Sequence, residues 1–209
     1  MAAHLHGEQR PGELRYRLRC IDELAHDFRG DERLLDVGCG DGGVARLLRE
    51  RVGEVVAVDV ERSPHWDESS GIAFQVADGE ALPFEDASFD LVHSKDSLHH
   101  MTSPQRALAE YRRVLRPGGT ALIVEANRMN PSLYLQMTLL RGHDHFRTAR
   151  FRELVLAAFP STRFGAFEAH FVPGLHGVAL SVQEATEDFL ERISFVRPLL
   201  SYNFAVASA

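Results

Sequence analysis

Between Asp36 and Gly43 the chain reads Asp36-Val37-Gly38-Cys39-Gly40-Asp41-Gly42-Gly43, a carboxylate two residues ahead of closely spaced glycines. Glycines at this spacing let the backbone approach a ligand and turn sharply into a following helix. Gly38-x-Gly40-x-x-Gly43 satisfies the dinucleotide fingerprint and Gly38-x-Gly40-x-Gly42 fits as well, so the glycines alone leave the ligand open. Asp36 narrows it. Two like charges ~4 Å apart at an effective dielectric of about 20 repel by roughly 4 kcal/mol, so a pyrophosphate on the helix N-terminus would be poorly held beside this carboxylate. A ligand carrying an ammonium and a sulfonium, with no phosphate, would be favoured. The competing account of Asp36 is a turn cap beside packing glycines. Asp59 follows Gly40 by 19 residues, the distance at which a β-α-β unit offers a carboxylate to ribose hydroxyls. Its two oxygens suit the 2′ and 3′ pair. Asp78 is placed by the same topology to accept from an adenine amino group, with Gly79 leaving room for the base. Each acid alone reads as a solvated loop residue, but all three stand at successive strand ends.

Acid-base chemistry has a second set of candidates in His99, His100, Glu125 and the run Arg141-Gly142-His143-Asp144-His145. A positioned histidine that removes an acceptor proton contributes about 10²–10⁴-fold, although well-oriented reactants in a dry site react without one. Helix-start packing is the bland account of His99 and His100. His143 and His145 lack an evident third ligand, so no metal site is expected and a polar loop is preferred.

The elements that must hold these groups alternate. Helical spacing of apolar residues marks 13–28, and short apolar runs mark strands at 33–37, 54–60, 72–76, 89–93 and 120–125. Val44, Leu47 and Leu48 start a helix after the glycine loop, and Pro104 opens another over 104–115, stopped by Pro117-Gly118-Gly119. Further helices are expected over 131–140, 150–159 and 182–193, with strands over 163–172 and 202–207. Strand and helix alternation through residue 125 predicts an α/β fold with a doubly wound, mostly parallel sheet. Residues 1–209 read as a single domain with an N-terminal helical segment, 1–30, and a cap over 127–147, where Leu133, Tyr134, Leu135, Met137, Leu139 and Leu140 cluster.

Composition bounds the partners. The 209 residues include 23 Lys plus Arg against 30 Asp plus Glu, a net charge of −7, and 44% are hydrophobic. That is enough for a sizeable core and argues against a broad nucleic-acid surface. No apolar run reaches the roughly 18 residues a membrane span requires, and the first residues lack a secretory stretch, so a cytoplasmic protein is expected. Cys20 and Cys39 show no paired spacing, consistent with reduced thiols.

S-adenosylmethionine is a ligand of the kind Asp36 favours, and the ordered blocks resemble one family, the class I S-adenosylmethionine-dependent methyltransferases of small-molecule type. Leu34-Leu35-Asp36-Val37-Gly38-Cys39-Gly40-Asp41-Gly42 resembles their first motif and Val56-Ala57-Val58-Asp59 their second. Asp78-Gly79-Glu80-Ala81-Leu82-Pro83-Phe84 and Ser88-Phe89-Asp90-Leu91-Val92 resemble the segment through the fourth strand; Leu98-His99-His100, Glu110 and Arg113 to Gly119 follow in order. The resemblance covers about residues 33–125. It implies a seven-stranded sheet in the order 3-2-1-4-5-7-6 with strand seven antiparallel and helices on both faces. It also implies a cofactor pocket at Asp36, Gly38, Cys39, Gly40, Gly42, Asp59, Val60, Asp78 and Gly79, with Ser94 and Lys95 at the methionine end. The expected reaction is methyl transfer to an oxygen, nitrogen or carbon of a small apolar or aromatic metabolite, by a monomer or homodimer. No Asn/Asp-Pro-Pro-aromatic run follows the fourth strand and no Pro-Cys pair occurs, which disfavours methylation of nucleic-acid bases. An NAD-dependent oxidoreductase and a non-catalytic cofactor-binding scaffold or regulator are the alternatives.

Overall fold

The computed structural model describes residues 11–140, 142–170, 172 and 176–209. The first ten residues of the expected N-terminal segment, together with Arg141 and Phe171, lie outside the described residues. The elements are α1 (Pro11–Asp22), β1 (Arg33–Val37), α2 (Gly43–Arg49), β2 (Glu54–Asp59), β3 (Ile72–Val76), β4 (Phe89–Lys95), α3 (Pro104–Val114), β5 (Leu115–Ala126), α4 (Pro131–Leu133), α5 (Thr148–Ala158), β6 (Ser161–Phe167), α6 (Gly177–Arg192) and β7 (Tyr202–Ser208). The strands form one sheet in the order β3-β2-β1-β4-β5-β7-β6. Pairing is parallel from β3 through β5, and β7 runs antiparallel to both β5 and β6, as the resemblance implies.

The apolar runs are continuous because the sheet is covered on both faces. With a side-chain period of two, Leu35, Val37, Val56, Val58 and Val92 pack toward Leu108 and Tyr111 of α3 and Phe151 and Phe159 of the α5 region. Leu34, Val55, Ala57 and Leu91 pack the other way, toward Ile21, Leu47 and Leu48. Under the outer strands, Cys20 and Leu24 meet Leu122, Val124 and Phe204. Each fully buried Val or Leu contributes on the order of 1.5–3 kcal/mol, so the strand ends that carry the loops are rigidly set. The same packing explains two of the motif residues: Glu110 Oε2 accepts from the Leu82 backbone N–H at 2.9 Å, and Arg113 donates to the Phe84 and Leu82 carbonyls at 2.8 and 3.0 Å. They pin the 80–84 loop and so fix Asp78 and Gly79 ahead of it.

Two outer elements shift, the strand expected over 163–172 running Ser161–Phe167 and the helix expected over 182–193 running Gly177–Arg192, and four further expectations change. The opening helix ends at Asp22 rather than near residue 28, because Ala25 takes a left-handed φ of 44° as the chain turns toward β1. Strand β4 continues to Lys95, since Ser94 and Lys95 still pair with Ile123 and Val124. Pro117-Gly118-Gly119 is a bow inside β5 rather than a helix stop, the ladder jumping from Phe89↔Leu115 to Leu91↔Thr120. The helix over 131–140 is one α turn followed by π-helical turns over Tyr134–Leu139.

The bow depends on Gly119, where a Cβ would lie 2.9 Å from both the Arg116 and Asp90 carbonyl oxygens. Gly119→Ala is expected to cost ~1–3 kcal/mol of stability through overpacking against backbone. A denaturant midpoint equal to that of the wild type would show that the bow relaxes to admit the methyl group.

Candidate functional site

A cleft opens at the carboxyl ends of β1 to β4 in two parts that meet at Gly38, one of about 370 Å³ and one of about 180 Å³. Gly38 and Cys39 N–H groups both donate to the Val58 carbonyl, at 2.8 and 3.0 Å, tying the glycine loop to β2. Gly38 has φ 75°, and a Cβ there would lie 2.1 Å from Ser97 Oγ, so the loop and the segment after β4 interlock only with glycine. Gly40, at φ 54°, has open space on the side a Cβ would occupy. Its N–H donates to Asp59 Oδ2 at 2.8 Å and its carbonyl accepts from Trp66 Nε1 at 2.8 Å. Gly42 faces the Phe74 ring rather than either part of the cleft.

Asp59, Val60, Asp78 and Gly79 line the larger part, with Asp96, Ser97, His100 and Met101 opposite. Asp59 is half-buried and retains lone pairs beyond the one Gly40 uses. Asp78 is exposed, its Oδ1 accepting from the Glu80 N–H at 2.8 Å in a local turn. A side chain at Gly79 would meet Met101 Cε at 2.7 Å and Val37 Cγ1 at 3.0 Å.

The smaller part is lined by Asp36, Cys39, His93, Lys95, Tyr16 and Arg17, among others. His93 Nδ1 donates to Asp36 Oδ1 at 2.7 Å with both side chains buried. Asp36 Oδ2 and His93 Nε2 find no partner, which is unusual for buried polar atoms and marks a place where a bound group would complete the set. Burial, with Asp36 and Asp59 nearby, pushes the Cys39 thiol up and keeps it protonated. Lys95 Nζ bonds Asp96 Oδ2 at 2.5 Å and lies 4.8 Å from the Tyr16 ring. Burial works against its charge, but Asp96 prevails and its pKa is raised. Ser94 is fully buried, accepts from the Tyr111 hydroxyl at 3.2 Å and lines neither part.

Glu125 does not face the cleft. It is fully buried: Oε1 accepts from the Ser97 and Leu98 N–H groups at 3.0 and 2.7 Å, and Oε2 accepts from His99 Nδ1 at 2.7 Å. Burial raises the Glu125 pKa, with His99 pulling against it; the His99 pKa is also raised, because Glu125 outweighs the burial that disfavours its charge. The His99 ring in turn lies against His100, with centroids 4.0 Å apart, and against His145 at 4.3 Å, both tilted, and His143 meets His100 edge-on at 5.4 Å. The structure therefore gathers His99, His100, His143 and His145 into one imidazole cluster, of which His100 reaches the larger part of the cleft. Burial and the neighbouring rings hold the His100 pKa low. Among the described residues no group of three or more His, Cys, Asp or Glu side chains could hold a metal ion.

Tyr16, Arg17, Trp66 and Asp96 are site residues that sequence reasoning missed. Asp96 carried a signal only in its place after β4, where it takes a left-handed φ of 50°. Tyr16 and Arg17 arrive from α1, where Arg17 is held by Asp41 at 2.7 Å and Glu13 at 2.6 Å.

A family model described as a methyltransferase domain matches residues 35–123. The chain is 36% identical over 113 residues to 27-O-demethylrifamycin SV methyltransferase of Amycolatopsis mediterranei, covering 48% of this chain and 42% of that protein. It is 37% identical over 107 residues to the ubiquinone/menaquinone biosynthesis C-methyltransferase UbiE of Laribacter hongkongensis, covering 46% and 44%. The matches thus span less than half the length of these relatives. Among solved structures, a SAM-dependent methyltransferase from Thermotoga maritima superposes with a TM-score of 0.69 at 17% identity, covering 94% of this chain and 89% of that one. Phosphoethanolamine N-methyltransferase 2 of Haemonchus contortus, bound to S-adenosyl-L-methionine, gives 0.64 at 20% identity and covers 93% and 52%. At these identities the superpositions establish the fold. No described helix is long and apolar enough to cross a membrane.

The imidazole cluster makes stability depend on pH. Burial, with His99 beside it, holds His145 down to about 4 from an ordinary 6.5. Between those values the unfolded chain binds a proton that the folded chain does not. This ring's contribution is therefore intact above pH 6.5 and lost as pH falls toward 4, by ~1–2 kcal/mol after allowance for solvent screening. His99 acts in a different window: its raised pKa gives stability that is full below 6.5 and lost on the alkaline side. Thermal midpoints measured against pH should fall on the acid side for wild type and flatten for His145→Gln. Parallel curves for the two proteins would place the acid sensitivity elsewhere.

Proposed function

We propose that this chain is a class I S-adenosylmethionine-dependent methyltransferase, and that it methylates an oxygen, nitrogen or carbon nucleophile of a small apolar or aromatic metabolite; the methyltransferase-domain match and the similar methyltransferases support the reading. The observation that carries the reading is the continuity of the cleft, with sugar and base acceptors in the larger part and the unpartnered Asp36 Oδ2 in the smaller. In this reading Asp59 takes the ribose hydroxyls, Asp78 and Gly79 border the base, and Asp36 takes the ammonium. Arg17 and Lys95 border the carboxylate at the methionine end. When bound between these residues, S-adenosylmethionine would supply an electrophilic methyl group, with the thioether as leaving group, to the acceptor's nucleophilic atom. His100, neutral at physiological pH and lining the cleft, receives the proton that the acceptor loses. His99 and Glu125 are positioning residues, holding His100 in place through the ring contact and the loop backbone. Segment 127–147 caps the acceptor: Tyr134, Leu135, Leu139 and Leu140 are exposed along it, and His143 and His145 dock it on the imidazole cluster. Closing it excludes water from the reacting atoms. We take the acceptor to be a free metabolite in the cytoplasm and the protein to be a monomer or homodimer, with no nucleic-acid partner. The names of the relatives, which include rifamycin, quinone and phosphoethanolamine methyltransferases, support a small acceptor.

Incubation with methyl-labelled S-adenosylmethionine and a metabolite extract tests the reading: label should appear in a low-molecular-mass product. Binding of NAD in preference to S-adenosylhomocysteine would favour an oxidoreductase, and tight cofactor binding with no labelled product would favour a scaffold. Asp59→Ala should weaken both S-adenosylmethionine and S-adenosylhomocysteine by ~2–4 kcal/mol in calorimetric titration, from the loss of charged hydrogen bonds to two hydroxyls. Unaltered affinity in the folded variant removes Asp59 from the site.

His100→Gln should lower turnover of the identified acceptor by about 10²–10⁴-fold with cofactor affinity retained. The wild-type rate should fall as pH drops below 6.5, because the lowered His100 pKa keeps the ring unprotonated until then, and the variant should lose that acid limb. A variant that keeps the limb assigns proton removal to another group.

A further inference from the structure

A cavity of about 490 Å³ lies apart from the cleft, between the start of α5 and the outer strands β6 and β7, and shares no lining residue with either part of it. Its apolar walls are Phe151, Phe164 and Phe204. Gly165 lets the Phe204 ring lie flush against the β6 backbone, since a Cβ there would lie 2.2 Å from that ring. Asn203 also lines it, 2% exposed, and its side-chain nitrogen has no hydrogen-bond partner. Buried amide donors are almost always paired, so an unpaired one on a residue of the cavity wall points to a ligand atom that would accept from it.

The charges around the cavity specify that atom. Arg152 and Arg197 line it, are exposed, and have no carboxylate partner among the described residues. The carboxylates on the opposite side are already engaged. Glu191 bonds Arg19 at 2.7 Å and accepts from the Glu168 N–H at 2.7 Å, while Glu23 lies 3.7 Å from Arg19. Thr148, also in the lining, is the first residue of the 11-residue α5, whose N-cap Arg147 makes no side-chain capping bond. The positive end of that helix therefore adds to the two guanidinium groups.

We propose that this cavity is a second ligand site, for a small organic carboxylate with an aromatic or apolar body. The carboxylate sits among Arg152, Arg197 and the first turn of α5, the Asn203 amide donates to the ligand, and the body packs on the phenylalanine rings. The site adjoins the root of segment 127–147. Asn127 Nδ2 donates to the Pro198 and Leu200 carbonyls at 3.0 and 2.8 Å, and the Thr148 hydroxyl donates to Asn127 Oδ1 at 3.4 Å. An occupant touching Arg197, Pro198 and Thr148 would stiffen that root, which makes the site one for an effector.

The test is a titration of phenylacetate into the full chain, by calorimetry and by the rise in thermal midpoint, with and without saturating S-adenosylhomocysteine. Phenylacetate should bind saturably and independently of the nucleoside, and neutral phenylacetamide about tenfold more weakly, the difference of one charge-assisted hydrogen bond. Arg152→Glu and Arg197→Glu, both at exposed positions, should each weaken phenylacetate by at least about tenfold while melting like the wild type. Asn203→Leu should abolish binding if it folds, and the arginine variants decide the matter if it does not. Equal affinity for the amide, full binding by the arginine variants, competition with S-adenosylhomocysteine, or no saturable binding of phenylacetate would each overturn the proposal.

Discussion

A single buried carboxylate, Glu125, ties the two sides of the site together. A charge at 0% exposure is tolerated only when its lone pairs are used, and here two backbone N–H groups and one imidazole use them. The consequence is geometric. Because the Ser97 and Leu98 amides must point inward at β5, the chain after β4 is drawn against the sheet, Ser97 Oγ fills the space that Gly38 leaves, and Met101 closes over Gly79. Because His99 is held by the same carboxylate, its ring offers a fixed surface to His100 on one side and His145 on the other. The wall of the larger cavity and the docking face of segment 127–147 thus share one anchor, and neither shifts without the other.

The charge pattern of the cleft follows from where cations are neutralised. Arg17 is spent on Glu13 and Asp41, and Lys95 on Asp96 under the Tyr16 and Tyr202 rings. Asp36, by contrast, satisfies one oxygen with His93 and leaves the other in the smaller cavity. A polar atom left in that position is stabilised by a cationic ligand and destabilised by a phosphate, the preference that the position of Asp36 two residues ahead of Gly38 already implied. Asp59 carries a similar double duty: one oxygen holds the Gly40 amide and so shapes the loop, while its remaining lone pairs face the cleft. Loop conformation and ligand recognition are coupled through that one side chain.

How far the site could be read from sequence depended on how local each constraint is. Gly38, Gly40, Asp59 and Asp78 belong to strand-end loops whose placement follows from the β-α-β repeat, and spacing along the chain is enough to find them. The sheet order came from the resemblance over residues 33–125. Ser94 and Glu125 were misplaced for one reason: the face a strand residue takes depends on how far pairing runs. β4 pairs through Lys95, which sends Ser94 under Tyr111, and the β5 ladder turns Glu125 inward. Tyr16 and Arg17 had no local signal, since α1 reaches the cleft only by packing on the sheet. The four imidazoles were each visible, but His99 with His100 and His143 with His145 meet through a tertiary path that no periodicity encodes.

The division between what was legible and what was not is also a division of labour in the molecule. The family match ends at residue 123, and segment 127–147 begins after it. Up to that boundary, the cleft is lined by the carboxylates Asp36, Asp59 and Asp78 at the ends of paired strands and by a glycine loop tied to β2. Beyond it, segment 127–147 is fastened at its ends. Asn127 and Asn130 bond the carbonyls of Pro198, Leu199 and Leu200, and the Arg128 N–H donates to Phe146, which packs on the core. Its middle runs as π-helical turns with Tyr134, Leu135, Leu139 and Leu140 exposed. The exposed side chains of that stretch accept substitution without loss of fold more readily than Gly38 or Glu125. On the proposed reading, acceptor preference is free to change while the cofactor cleft stays constant, and a match confined to residues 35–123 bears on the cofactor and very little on the acceptor.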